Sequence, residues 1–560
     1  MTNRDILRQF RLTAQLLELH EENEFKIRTY SNAVTIIDNL TEELSSINQS
    51  KLTEIQGIGK GLAEKIVQME ETGSFKELNE LKAKTPEGVI EMLNVKGLGP
   101  KKVRTLWKEY QIDDTQKLLK ACEDNQLAKL KGFGEKTQES IKQALLFSES
   151  STGKMLYADC EAVVNFLSQE FLKSGLTVKI TGAFERKADI IDLLQFVVSA
   201  ENIVNTNDLL DKISFLKKDM EGSSPFTWRG TWEGLPVEFL LEKPEKIVSV
   251  AFIHSAALPH LLHKNEHHPN LLAVAQSGTF ESENAIYEKA GLPYIAPELR
   301  EGLKEFEWAN NGKIADLIEL KDLKGIFHNH STYSDGKHTL EQMATHCKSL
   351  GYQYLGISDH SKTASYANGL QEERIEQQHR EIDQLNQKLA PFKVFKGIES
   401  DILGDGSLDY DKEVLKSFDF IVASVHANLN MDEEKATKRL IKAIENPYTT
   451  MLGHPTGRLL LRREGYPINH KKIIDACADN GVIIEINANP WRLDMDWLFI
   501  DYAISKGVIL SINPDAHEMD GYDDMRYGVY VGRKGGLTKQ MTFNALDLPE
   551  VEKYLTKRKK

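Results

Sequence analysis

From Leu323 onward nearly every short apolar run of this chain stops at a side chain able to bind a metal, and no other feature restricts the possible folds as strongly. Gly325-Ile326-Phe327 leads into His328-Asn329-His330, with Asp335 following in Ser334-Asp335-Gly336. Tyr354–Ile357 leads to Asp359-His360, Lys393–Ile398 ends at Glu399, and Phe420–Val425 ends at His426. Thr450–Gly453 ends at His454, and Val508–Ile512 runs through Asn513-Pro514 to Asp515-Ala516-His517. Amphipathic stretches separate these runs, the pattern of βα units around a parallel sheet or barrel. In such a barrel the carboxyl ends of the strands meet at one rim, so nine residues distant in sequence share one pocket.

Imidazoles mixed with carboxylates suit Zn²⁺, Mn²⁺ or Fe²⁺, whereas a Mg²⁺ site normally takes oxygen ligands alone. At roughly three to four ligands per ion, nine residues imply two or three metals. Such a cluster lowers the pKa of a bound water from 15.7 to about 7 and neutralises phosphoryl oxygens, which makes phosphoester hydrolysis its natural chemistry. A single histidine at a strand end is more commonly a hydrogen-bonded structural residue. Histidine use argues against that reading for the set, because ten of the 16 histidines fall between His328 and His517. His338, His346, His379 and His470 lie outside the motifs in helical stretches and read as solvated.

At 560 residues the chain is long enough for three or four domains. Its formal charge of −14, from 70 basic and 84 acidic side chains, excludes nucleic-acid binding by bulk positive charge. Residues 1–150 are nearly neutral, which leaves room for a local basic groove there. The cysteines, Cys122, Cys160, Cys347 and Cys477, are far apart and form no CxxC pair, which suits a reducing cytoplasm. The N-terminus lacks a signal-peptide core and no run approaches a membrane span, so a soluble, monomeric cytoplasmic protein without a membrane partner is expected.

Residues 1–148 read as helical, and one pattern recurs in them three times: Ile55-Gln56-Gly57-Ile58-Gly59, Val95-Lys96-Gly97-Leu98-Gly99 and Leu130-Lys131-Gly132-Phe133-Gly134. Each copy precedes a helix start. The glycines permit a tight turn that exposes backbone N–H groups at a positive helix terminus, which is how backbone holds a phosphate. Lys101, Lys102, Arg104 and Lys108 follow the second copy as a basic stripe. The pattern resembles the helix-hairpin-helix element of DNA-repair proteins.

The ligand motifs of residues 325–535 resemble the polymerase and histidinol phosphatase (PHP) domain. That resemblance implies a distorted (β/α)₇ barrel with a trinuclear metal site. Arg458, in Gly453-His454-Pro455-Thr456-Gly457-Arg458, and Lys362, in Asp359-His360-Ser361-Lys362, read as holders of a substrate phosphate. Together with the helical N-terminus and the segment Ala290–Arg300, the chain resembles a bacterial family X DNA polymerase throughout. The implied architecture is a multidomain α/β chain: a helical lyase-like and helix-hairpin-helix region at 1–150, a nucleotidyltransferase-like α/β palm and thumb at 151–320, and the PHP barrel at 321–560, joined by a charged linker helix over 301–324. The resemblance also implies that Lys26, Tyr30 and Lys65 hold a 5′-phosphate, with Lys65 where related enzymes carry a Schiff-base lysine.

The polymerase motif departs from the family pattern. In Gly182-Ala183-Phe184-Glu185-Arg186-Lys187-Ala188-Asp189-Ile190-Ile191-Asp192, aligning Asp192 with the second metal-binding acid places Ile190 at the first, and alternation turns Asp189 away. Glu238 stands in for the third acid. The expectation is a DNA-repair hydrolase, a 3′–5′ exonuclease with 3′-end-processing or abasic-site chemistry, whose polymerase activity is lost or weak and whose partner is gapped or 3′-ended DNA. Its rivals are a working gap-filling polymerase using Asp189 and Asp192, a small-molecule phosphatase such as histidinol phosphatase, and an inactive gap-binding scaffold.

Overall fold

The computed structural model describes residues 1–38, 40, 43–47, 49–173 and 176–558. It divides into two compact units, Met1–Ser151 and Thr152–Lys560.

The first unit is helical. Helices Lys60–Thr72, Pro100–Tyr110 and Glu135–Ser151 each begin directly after one of the glycine-rich turns. The three turns share one geometry. Gly57, Gly97 and Gly132 take φ of +93°, +92° and +89°, a conformation that costs a side-chain-bearing residue dearly. The apolar residue that follows, Ile58, Leu98 or Phe133, is buried and donates its N–H three residues back, at 2.9 to 3.0 Å. Gly59, Gly99 and Gly134 are exposed at the helix starts. The unit is closed by its own apolar core, in which Phe10, Tyr30 and Phe75 pack ring to ring.

The second unit contains a five-stranded sheet and a barrel. In the sheet, β1 (Val178–Thr181), β2 (Leu194–Ser199), β3 (Lys217–Lys218), β4 (Thr227–Trp232) and β5 (Leu235–Glu242) lie in the order β1-β2-β5-β4-β3. Ile190–Ile191 belongs to neither and pairs with Met155–Leu156. One core runs from Tyr157 in the sheet region to Leu537 in the barrel, so the expected boundary near residue 320 falls within a continuous packed unit.

The barrel consists of β6 (Gly325–Ile326), β7 (Tyr354–Ile357), β8 (Lys393–Asp401), β9 (Phe420–Ser424), β10 (Met451–Leu452), β11 (Ile483–Asn487) and β12 (Leu510–Asn513). They lie in sequence order with every neighbouring pair parallel. The first and last strands approach closure just beyond their ends, where Asn329 bridges Ala516 and the His330 N–H donates to the Ala516 carbonyl at 2.8 Å. Phe327, Tyr354, Phe395, Phe420 and Phe543 form a distinct aromatic cluster. Gly397 makes room for it, since a Cβ there would stand 2.1 Å from the Phe420 ring.

Two expectations are corrected here. Residues 301–324 are not one charged linker helix: the helix Glu305–Asn310 is short and buries Phe306 and Trp308, and two 3₁₀ turns follow it. Nor are the four remaining C-terminal histidines simply solvated. His470 stacks on Phe499 at 3.8 Å, His346 on Tyr522 at 6.0 Å, and His379 meets Phe418 edge-on at 5.3 Å. His338 lies in a loop before helix Leu340–Ser349, where its ring accepts from the Met519 N–H.

Candidate metal centre and nucleic-acid interface

The nine expected ligands converge at the carboxyl ends of the barrel strands. Glu399, 1% exposed, stands at the middle, within 3.0 Å of His454 Nε2, 3.1 Å of His426 Nε2, 2.9 Å of His360 Nδ1 and 3.3 Å of His328 Nε2. Asp515 lies 3.1 Å from His330 and 3.4 Å from His328. Asp335 lies 3.4 Å from His517 and 3.7 Å from His360, and these form the outer, more exposed edge of the cluster. Four overlapping groups have ligand atoms close enough to share an ion: His330, Asp335, His360 and His517; His328, His454 and Asp515; His328, His330 and Glu399; and His360, Glu399 and His426.

The donor set fits divalent metals on a structural criterion. His328 Nε2, His330 Nδ1, His360 Nδ1, His454 Nδ1 and Glu399 Oε2 are buried polar atoms that make no well-aligned hydrogen bond, although His360 Nδ1 and Glu399 Oε2 stand only 2.9 Å apart. Buried polar atoms are nearly always paired, so five orphans in one cluster mark atoms reserved for another kind of bond. Backbone strain points the same way: His454 and Asp515 hold φ of +23° and +52°, a rare conformation for residues with side chains and one that concentrates at functional sites.

The electrostatics of the cluster are polarised. Burial disfavours charge on His328, but Glu485, Asp515 and Glu399 outweigh it and raise its pKa well above the ordinary value. His426 is pushed up to about 10 against its burial, by Glu399 and Asp401. Burial and the neighbouring His517 and His360 take His330 down to about 3. The Glu399 and Asp515 carboxyls fall well below the usual range because adjacent imidazoles overcome their desolvation.

Several residues with clear parts in this site were not singled out from the sequence. Glu485, fully buried in β11, accepts from His328 Nδ1 at 2.7 Å and from the His454 N–H at 2.8 Å. Asp401 takes His426 Nδ1 at 2.5 Å. Each carboxylate fixes a ring so that Nε2 faces the cluster, the usual support for a metal-binding imidazole. Asp359 gathers the Ser331 and Ser334 hydroxyls and N–H groups together with the Gln378 amide, and so holds the loop that leads to Asp335. Arg492 reaches Asp515 at 3.3 Å, and Tyr366, 70% exposed, stands 6.1 Å from the His360 ring.

Arg458 and Lys362 are not brought to the cluster. The Arg458 guanidinium is engaged by Asp496 at 2.8 Å, Asp189 at 3.3 Å and the carbonyls of Arg492 and Leu493. It thereby fixes the backbone that aims Arg492. Lys362 pairs with Glu372 at 2.8 Å.

The polymerase positions fall differently from the sequence alignment. Asp192 is exposed ahead of β2, and Asp189 is spent on Arg458. It is Gln195 that pairs in register with Glu238 of β5, with its amide 2.9 Å from the Glu238 carboxylate. Gly182 abuts Gln195 so closely that a Cβ would lie 2.6 Å from its amide oxygen. Arg229 takes the other Glu238 oxygen at 2.7 Å. The shift arises because Ile190–Ile191, which reads as the strand, pairs with Met155–Leu156 instead.

In the helical unit the structure brings Lys26, Tyr30 and Lys65 together, around Glu77. Lys101 is exposed on its helix, while Lys102 donates to the Gly97 carbonyl and Arg104 is paired with Glu21 at 2.8 Å, so the basic stripe is narrower than its sequence. Among the described residues no helix is long and apolar enough to cross a membrane.

Comparison with known proteins agrees with this arrangement. Residues 1–75 match the helix-hairpin-helix domain family, residues 89–145 the SAM-like helix-hairpin-helix tandem, and residues 327–489 the PHP domain. A probable phosphatase of Thermoanaerobacter sp. (strain X514) is 27% identical over 238 residues, covering 39% of this chain and 94% of that protein. The DNA polymerase/3′-5′ exonuclease PolX of Bacillus subtilis (strain 168) is 32% identical over 570 residues, covering 99% of both chains. Coverage end to end at that identity places this chain, with its helix-hairpin-helix and PHP regions, in the PolX family of bacterial family X polymerases.

Proposed function

We propose that the protein is a DNA-repair hydrolase in which the barrel rim, loaded with two or three divalent ions, cleaves phosphodiesters from DNA 3′ ends, and that nucleotide polymerisation has been lost. The observation that carries the reading is the convergence of nine ligands with five orphaned buried atoms among them. Mn²⁺, Zn²⁺ or Fe²⁺ bound there supplies a water of lowered pKa and neutralises the phosphoryl oxygens. Glu485 and Asp401 keep the His328 and His426 rings in the ligating orientation. Arg492 takes over the phosphate-holding part expected of Arg458, since a guanidinium grips phosphate in bidentate fashion and this one lies at the cluster edge. Tyr366 offers an exposed ring beside the site on which a terminal base stacks.

The three glycine turns bring helix N-termini to DNA phosphates, and gapped or 3′-ended duplex is the substrate this combination serves, handled by a cytoplasmic monomer. A small-molecule phosphatase has no use for three such turns. The loss of polymerisation rests on Gln195 beside Glu238, since two-metal nucleotidyl transfer needs more carboxylate than one Glu already neutralised by Arg229. One panel tests the whole reading: a 3′-labelled gapped duplex incubated with Mn²⁺, with and without nucleotides, beside histidinol phosphate. Label release without extension supports it. Extension, or hydrolysis of the metabolite alone, rejects it.

A further inference from the structure

Three side chains in the helical unit that the family resemblance expects to hold a phosphate all meet a carboxylate of the same chain. Glu77, in helix Lys76–Ala83, accepts from the Tyr30 hydroxyl at 2.5 Å and meets Lys26 Nζ at 3.3 Å and Lys65 Nζ at 3.6 Å. Tyr30 is 3% exposed and packs on Phe10 and Phe75, so its hydroxyl has a fixed address. Lys65 is tethered as well, donating to the Gly61 carbonyl at 3.3 Å with its ammonium 5.7 Å from the Tyr30 ring centre. Burial opposes ionisation of Glu77, but the Tyr30 hydrogen bond and the charges of Lys65 and Lys26 outweigh it, and the carboxyl is held below its usual range. An anion therefore stands here at neutral pH. Two ammonium groups and a hydroxyl converging on two oxygens are also what a terminal phosphate monoester requires, and charge-assisted hydrogen bonds are the strong ones.

We propose that Glu77 is an internal competitor for the 5′-phosphate at a DNA gap, so that the unit grips gapped DNA without discriminating phosphorylated from unphosphorylated 5′ ends. A phosphate entering this set must displace the carboxylate or meet its repulsion. The proposal rests on the reading that this unit docks DNA ends, and the test separates the two.

The experiment is equilibrium binding of the full chain, by fluorescence anisotropy in EDTA, to one-nucleotide-gap duplexes that differ only in a 5′-phosphate or 5′-hydroxyl. Wild type is expected to bind the two within about twofold of each other. Glu77→Gln keeps an acceptor for Tyr30 but removes the charge, and is expected to favour the phosphorylated gap by about tenfold, the size of one charge-assisted contact. Adding Lys65→Ala should erase that preference. A wild-type preference of tenfold or more, or a ratio unmoved in a Glu77→Gln protein of unchanged thermal stability, overturns the proposal. Glu77→Ala repeats the measurement should the amide variant misfold. If Lys26→Ala and Lys65→Ala weaken both duplexes while the ratio stays put, competition is rejected and docking survives. If neither changes the affinity for any gapped duplex, docking by this pocket fails as well.

Discussion

The side-chain amide of Gln195 lies 2.9 Å from the carboxylate of Glu238 across two parallel strands. A two-metal polymerase needs carboxylates at such neighbouring positions, and an amide donor there repels a cation where an acid would attract it. Primer extension by the purified protein with Mn²⁺ should therefore yield no product. Gln195→Asp alone should not create activity, because the residue two before it, Leu193 just ahead of β2, is apolar and supplies no second acid. Robust incorporation abolished by Glu238→Ala would contradict this.

Glu485 anchors His328 and the His454 backbone at once, so its loss should be felt by the metals although no ligand is removed. Glu485→Gln is expected to lower metal affinity about 10- to 100-fold. Metal titration of 3′-end cleavage, with bound metal counted by elemental analysis, should show the Mn²⁺ midpoint shifting by that factor.

Arg492 and Arg458 should separate kinetically. Arg492→Ala removes a guanidinium at the cluster edge, and a loss of about a hundredfold in kcat/KM at normal metal content is expected, the scale of one lost transition-state donor. Arg458→Ala frees Asp189 and Asp496 and loosens the turn beneath Arg492, so it should reduce thermal stability as well as rate. The two variants are compared by steady-state kinetics and thermal melts.

Asp524 supplies a pH dependence of stability. Burial lifts its carboxyl to about 7, against the pull of Arg526. The folded protein then holds a proton that the unfolded chain releases near the ordinary value of 3.8, so this contribution is complete at acid pH and fades as pH rises toward 7. Asp524→Asn should raise the urea midpoint at pH 8 and leave it nearly unchanged at pH 4, and equal midpoint changes at both pH values would contradict the assignment.

The barrel and its ligands were legible because strand ends are marked by position in the chain: an apolar run stopping at histidine or acid, repeated around a rim, leaves little freedom. Glu485 carried no such mark. It sits inside the apolar run Ile483–Asn487, and its partner His328 lies 157 residues away, so only the folded barrel brings them together. Arg458 read as a phosphate holder because the motif shows its charge but not Asp189 and Asp496, which neutralise it in the fold. The palm alignment slipped because two isoleucines look like part of the main sheet until their separate pairing with Met155 and Leu156 is seen. Glu77 was hidden for a related reason, since nothing in the spacing says that an acid 47 residues beyond Tyr30 will meet its hydroxyl.

The most direct test of the central claim follows label release from a 3′-labelled gapped duplex by wild-type protein, metal-stripped protein and His330→Ala, with bound metal counted in each. The account predicts progressive release by the wild type, loss on stripping with recovery on adding Mn²⁺, and a fall of at least about a hundredfold in His330→Ala together with reduced metal content. Wild-type rates in His330→Ala, or release that persists after the metal is gone, would contradict it.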